Sequence, residues 1–124
     1  MNSPKRVFII EDSALIRERL TTVVNAMSGC TVVGHAESEA EAVASIDRLL
    51  PDLIVADIQL KEGSGLNVLR HIRRQDYAAR PTVVMLTNHA SSEYYDRSID
   101  AGADAVFDKT SQYGRFLDFV GHVR

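Results

Sequence analysis

Five short, almost wholly apolar runs recur along this 124-residue chain, and they set the limits on what it can fold into. They are RVFII at 6–10, TVVGHA at 31–36, LIVAD at 53–57, TVVML at 82–86 and DAVF at 104–107. Rich in Val and Ile and without polar alternation, they read as strands covered on both faces. Between them the hydrophobic period turns helical. Ile16, Leu20, Val23, Val24 and Met27 mark one apolar face, with Arg17, Glu18 and Thr21 pointing away. Ala40, Val43, Ile46 and Leu50 mark a second, opened by Ser38 as N-cap with Glu41 three residues on. Leu66, Leu69 and Ile72 mark a third, Tyr95 and Ile99 a shorter fourth that Gly102 ends, and Phe116, Val120 and Val123 a fifth. Pro51 and Pro81 each stop a helix just ahead of a strand. Strand then helix, five times over, implies an α/β domain of (βα)5 type: a doubly wound parallel five-stranded sheet with helices on both faces. Residues 1–124 are expected to form that one domain.

Composition narrows the function. A net charge of −3 leaves no footprint for direct binding of nucleic acid or an anionic membrane, both of which select for clustered Lys and Arg. The nearest approach to a basic patch, RHIRR at 70–74, reads as the solvated face of a helix. Cys30 is the sole cysteine, so neither an intrachain disulfide nor a cysteine metal site is available. With no signal-peptide pattern and no run of membrane-spanning length, the expectation is a cytoplasmic protein.

In an open α/β sheet, ligands bind at the carboxyl ends of the strands, around the point where strand order reverses. Those ends carry Glu11 and Asp12, then Asp57, then Thr87, then Asp108 and Lys109. Singly, each is an ordinary N-cap or turn residue. Together they bring carboxylates, a hydroxyl and an ammonium to one rim. The carboxylates repel unless a cation intervenes, and hard oxygen donors without His or Cys suit Mg²⁺. Lys109 and Thr87 are then available to hold phosphoryl oxygens. Such a site favours phosphoryl transfer, with a carboxylate as nucleophile. Adjacent Glu11 and Asp12 diverge and serve better as metal ligands; Asp57, alone at its strand end before a Gly-containing turn, is the better nucleophile.

With the acidic pair Glu11–Asp12, Asp57 in LIVADIQL, GSG at 63–65, Thr87 in VVMLT and Lys109 in AGADAVFDKT, the chain resembles the receiver domain of two-component response regulators, a CheY-like, flavodoxin-like fold. The resemblance covers essentially the whole chain. It implies that Asp57 accepts a phosphoryl group from a phosphohistidine of a sensor histidine kinase or histidine phosphotransfer protein. It implies Mg²⁺ held by Asp12, Asp57 and the backbone carbonyl of Gln59, with Glu11 acting mainly through water, and Thr87 and Lys109 on the phosphoryl oxygens. Phosphorylation is then expected to draw Thr87 inward and reshape a surface read by a downstream protein, by an output domain left off this chain, or by a second copy as a homodimer.

Several positions depart from the family pattern. Thr110 follows the lysine where Pro is usual. Val106 holds the place of the switch aromatic, with Phe107 alternating to the other face. Signal readout is therefore expected at the loop after Thr87 and at Tyr94 and Tyr95. Asn88 and His89 replace a small residue after Thr87, Lys61 stands where Pro is frequent, and Gln59 is placed to influence the lifetime of the phosphorylated state. Among rivals, a phosphatase of the haloacid dehalogenase type needs a second Asp where Gln59 stands, and a flavin module needs a phosphate loop where EDSAL is acidic. The alternative retained is a degenerate receiver acting as a phosphorylation-independent interaction module. No dedicated enzyme turnover is expected.

Overall fold

A computed structural model describes residues 3–88 and 92–123. Five strands, β1 (Lys5–Ile10), β2 (Cys30–Ala36), β3 (Leu53–Asp57), β4 (Thr82–Thr87) and β5 (Ala105–Asp108), alternate with five helices, α1 (Ala14–Ala26), α2 (Glu39–Leu49), α3 (Gly65–Arg74), α4 (Ser92–Asp100) and α5 (Tyr113–His122). All strand pairs are parallel, in the order β2-β1-β3-β4-β5. The order reverses between β1 and β3, so the ends of those two strands part to leave a crevice.

Two cores sandwich the sheet. On one face Phe8, Ile10, Ile54, Ala56, Val83 and Met85 pack under α2 and α3, through Ile46, Leu69 and Ile72. On the other, Val7, Ile9, Val55, Val84 and Leu86 meet Leu20 and Val24 of α1 and Phe116 and Val120 of α5. Every residue of β3 is buried, as a central strand covered on both faces requires. β2 is not: as an edge strand it is buried only at Ala36, which corrects the expectation of full cover for all five runs.

Local signals set the helix ends. Ser13, Ser38 and Ser64 cap α1, α2 and α3, their hydroxyls accepting from the N–H groups of Ile16, Glu41 and Leu66. The α4 face is shifted by one residue from the sequence expectation. Tyr95 is 49% and Ile99 40% exposed, whereas Ser98 is fully buried and Tyr94 packs against the core with Ala101. Two apolar residues four apart predict a helical stripe but not which way it faces. Arg73 is a further correction to the solvated reading of 70–74. Its guanidinium donates to the carbonyls of Gly102 and Pro81 and pairs with Asp104 at 3.0 Å, pinning the α4–β5 turn, while Arg70 and Arg74 are exposed. No helix among the described residues is long and apolar enough to cross a membrane.

Candidate phosphoacceptor site

The crevice between the ends of β1 and β3 gathers the residues singled out from the sequence. Glu11 follows β1 with 1% exposure, and Asp57 closes β3 with 8%. Lys109, just past β5, brings its ammonium to 2.6 Å from Glu11 Oε1 and 2.8 Å from Asp57 Oδ2. Its own N–H donates to the Thr87 carbonyl at 2.8 Å, so the lysine is registered to the end of β4, and the Thr87 side chain is buried.

Asp12 is aimed by its neighbours: Oδ2 accepts the Lys61 N–H at 2.6 Å. A proline at 61 has no N–H to give, so the departure from the family pattern there holds the acidic loop in place. Glu11 Oε2 accepts the Ser13 N–H at 3.0 Å. Arg17, read from sequence as pointing away, is instead 12% exposed at its side chain; it donates to the Glu11 carbonyl at 3.1 Å and pairs with Glu37. Thr110 shows the same logic as Lys61. The Thr110 and Ser111 N–H groups both donate to Asp108 Oδ1, at 2.8 and 2.9 Å, and the described chain holds no cis peptide bond.

The turn after Asp57 is built on glycine. Gly63 has φ of +93°, a conformation open to glycine, and a Cβ at Gly65 would overlap the Asp57 carbonyl oxygen. Gly65 N–H in turn donates to Ile58 at 2.9 Å, which presses the start of α3 against the end of β3. The GSG stretch marked this turn in the sequence; the close approach that demands glycine at 65 is tertiary.

Glu11, Asp12 and Asp57 each place a carboxylate oxygen within 4.8 Å of the others, an all-oxygen donor set that suits a hard divalent cation. Burial pushes the Asp57 carboxyl above its ordinary range, against the opposing pull of Lys109, and the Glu11 charge adds to the rise. Burial works against the Lys109 ammonium, but its bonds to Asp57 and Glu11 prevail and hold its pKa above the ordinary value. One ammonium facing two buried carboxylates leaves negative charge uncompensated, the condition under which a further cation binds.

Gln59 donates its N–H to Asp57 Oδ1 at 3.2 Å and its side-chain amide to the Tyr94 hydroxyl at 3.0 Å. Asn88 is exposed at the start of the β4–α4 loop; His89 lies outside the described residues. Val106 and Phe107 face opposite sides of the sheet as alternation predicts. Phe107 sits between the Phe116 and Phe119 rings of α5, at 6.4 and 5.9 Å, away from the crevice core. The Gln59–Tyr94 bond is a tertiary contact, since nothing local links positions 59 and 94.

A parallel (βα)5 sheet with an acidic crevice at its reversal point and a lysine reaching across it defines the receiver class. The family model described as the response regulator receiver domain matches residues 7–120, and the chain belongs to that family. An uncharacterised transcriptional regulatory protein of Bacillus subtilis is 30% identical over 115 residues, 93% of this chain and 56% of its own length. A protein-glutamate methylesterase/protein-glutamine glutaminase of Syntrophus aciditrophicus is 35% identical, over 91% of this chain and 32% of its own. The chain thus spans about a third of one of these relatives and just over half of the other. Among solved structures, a LuxR-family two-component response regulator from Aurantimonas superposes with a TM-score of 0.85 at 27% identity, covering 94% of this chain and 81% of that one. The response regulator domain of Thermotoga maritima CheB shares the fold, with a TM-score of 0.82 at 22% identity over 98% of both chains.

Proposed function

We propose that residues 1–124 form one receiver unit that accepts a phosphoryl group on Asp57 from a phosphohistidine of a sensor kinase or histidine phosphotransfer protein. The observation that carries this reading is the Lys109 ammonium bonded at once to Glu11 and Asp57, with its backbone tied to Thr87. In the transfer, an Asp57 carboxylate oxygen attacks phosphorus. The new P–O bond forms as the P–N bond breaks, and the electron pair passes to the imidazole, which takes up a proton. Lys109 turns from the carboxylate to the arriving phosphoryl oxygens, and the Thr87 hydroxyl supplies a second donor.

Asp12, Asp57 and the Gln59 carbonyl are the groups we assign to Mg²⁺. Glu11, with both oxygens already engaged by Lys109 and the Ser13 N–H, acts through a bound water. The cation supplies charge neutralisation between the carboxylates and the incoming phosphoryl group. Leu15, 57% exposed at the start of α1, lies with Val23, Tyr113 and Lys109 along one groove beside the crevice, a surface suited to the phosphodonor protein. The exposed α4 residues Tyr95 and Ile99 form the surface we assign to a downstream protein, an attached output domain or a second copy. A cytoplasmic setting, where a lone cysteine stays reduced, goes with this reading.

The test is incubation with Mg²⁺ and a small acyl phosphate, followed by intact mass. One phosphoryl adduct, absent in Asp57→Asn, is expected. If neither the small donor nor a phosphohistidine protein yields it, the domain works by phosphorylation-independent contact instead.

A further inference from the structure

The loop between β3 and α3, residues 58–64, is closed at its base by its own backbone and held at its tip from outside. At the base, Gly65 N–H donates to the Ile58 carbonyl at 2.9 Å, and Gln59 and Ser64 pair as an isolated antiparallel bridge. At the tip, Lys61, Glu62 and Gly63 are exposed, and Gly63 sits at φ +93°, where the chain has most freedom. What takes up that freedom comes from α2. Glu39, the first residue of that helix, places Oε1 3.0 Å from the Ser64 N–H and 3.2 Å from the Asn67 side-chain amide. Its own N–H donates to the Glu62 carbonyl at 3.1 Å. A Cβ at Gly63 would overlap the Glu39 side chain, so that side chain lies directly against the turn. On its other side the same tip gives the Lys61 N–H to Asp12 Oδ2 at 2.6 Å. A continuous path of bonds thus runs from the start of α2, through residues 61–64, to the acidic crevice.

We propose that Glu39 is a positioning residue for the divalent cation: by fixing the tip of this loop it keeps the Lys61 N–H on Asp12, and so sets how tightly the crevice binds Mg²⁺. The inference rests on the metal assignment above. Among the described residues Glu39 makes no hydrogen bond to Asp12 or Asp57, so its influence passes through the loop. An Asp side chain turns about two torsions, and a carboxylate that has to be ordered on binding loses affinity to that ordering. A short bond from a backbone N–H orients Asp12 beforehand, but only as firmly as the loop carrying that N–H is held. A proline at 61 would stiffen the loop by fixing its own φ. This chain has Lys61 there and a glycine two residues on, and the restraint is supplied by Glu39 from a neighbouring helix.

Mg²⁺ affinity is read from the rise of the urea midpoint across a Mg²⁺ series at constant ionic strength. The full chain is compared as wild type, Glu39→Ala, Glu39→Gln, Lys61→Pro and the Glu39→Ala, Lys61→Pro double variant. Glu39→Ala keeps the backbone bond to Glu62 and removes the carboxylate. It is expected to weaken Mg²⁺ binding about tenfold, the low end of what losing a support behind a metal ligand costs. Glu39→Gln retains a side-chain oxygen for both donors and should stay within about twofold of wild type. On the Lys61→Pro background there is no N–H to aim, so adding Glu39→Ala should change the affinity by less than about twofold. A merely structural tie predicts that Glu39→Ala lowers the midpoint in chelator with the Mg²⁺ affinity unmoved, and that result overturns the proposal. So does Glu39→Gln falling as far as Glu39→Ala, which would make the charge and not the placement responsible, or a tenfold loss that persists on the Lys61→Pro background. A wild type whose midpoint ignores Mg²⁺ brings down the metal assignment itself; a responsive wild type with an unaltered Glu39→Ala brings down only this inference.

Discussion

Glu11 and Lys109 stand 98 positions apart in the chain and meet at 2.6 Å, the carboxylate almost fully buried and the ammonium shared with Asp57. Removing one member of a buried ion pair costs more than the pair itself gains, because the remaining charge keeps its burial without its partner. Lys109→Met is therefore expected to lower the unfolding free energy by about 2–4 kcal/mol in chelator. Urea denaturation measures it, and an unchanged midpoint contradicts the geometry.

Asp57→Asn should act in the opposite direction in the same assay. Burial raises the Asp57 carboxyl above its ordinary 3.8, so the metal-free fold holds that proton more tightly than the unfolded chain does. The group's favourable share of stability is full below pH 3.8 and is lost as pH rises through the folded value. At neutral pH the isosteric amide escapes that loss, and its urea midpoint should lie above that of wild type. Millimolar Mg²⁺ should then raise the wild-type midpoint and leave Asp57→Asn nearly unmoved, since only a fold that binds the ion gains from it. A chelator-insensitive wild type would count against the metal assignment.

Gly65→Ala should be costly out of proportion to its size. The added carbon overlaps the Asp57 carbonyl oxygen, a backbone atom that cannot rotate aside. A loss of about 2 kcal/mol or more is expected, together with slower uptake of phosphoryl groups, because α3 must back away from the strand that aims Asp57. Circular dichroism melts paired with the mass assay read both effects.

Far from the crevice, Tyr77 donates its hydroxyl to Asp47 at 2.5 Å, and His71 meets the same carboxylate at 3.1 Å. Burial and the Asp47 partner push the Tyr77 phenol well above its ordinary 10.0, so its contribution to stability is full below pH 10 and is lost as pH climbs past it. The Tyr77 bond lowers Asp47 below its ordinary 3.8, so that contribution is present above pH 3.8 and disappears as pH falls through the folded value. Tyr77→Phe should cost about 1 kcal/mol at neutral pH and flatten both limbs of the stability profile. Chemical denaturation across the pH range shows whether the limbs respond.

The buried Ser98 hydroxyl supplies a stabilising substitution. Ser98→Ala removes a polar group that lacks a partner among the described residues and adds helix propensity, for a gain of about 1 kcal/mol. Tyr95→Ala, on the exposed face, should change stability by less than about 0.5 kcal/mol. The reverse ranking would restore the helix phase expected from the apolar pattern.

How much of this was legible beforehand differs by element. The β3 run at 53–57 announced a doubly covered strand and ended at the residue that matters, because burial on both faces leaves no room for polar alternation. β2 carries the same composition yet lies at the edge, since rank in a sheet depends on crossovers and not on the strand's own residues. For α4 the spacing of Tyr95 and Ile99 gave a period without a direction. Arg17 and Arg73 read as solvated because a long basic side chain can reach water or a carbonyl equally well, and only the neighbours decide.

By itself, the sequence determined the strand–helix alternation, the carboxylates that end β1 and β3, the hydroxyl that ends β4 and the lysine past β5. It also determined the glycines without which the turn after Asp57 cannot close. Those are properties of short stretches, set by period, backbone freedom and charge. Only the tertiary structure decided that Lys109 bridges Glu11 and Asp57, that the Lys61 N–H aims Asp12, and that Gln59 reaches Tyr94. Each of these joins residues from separate elements, and their distances come from how the strands stack and how the helices lean on them.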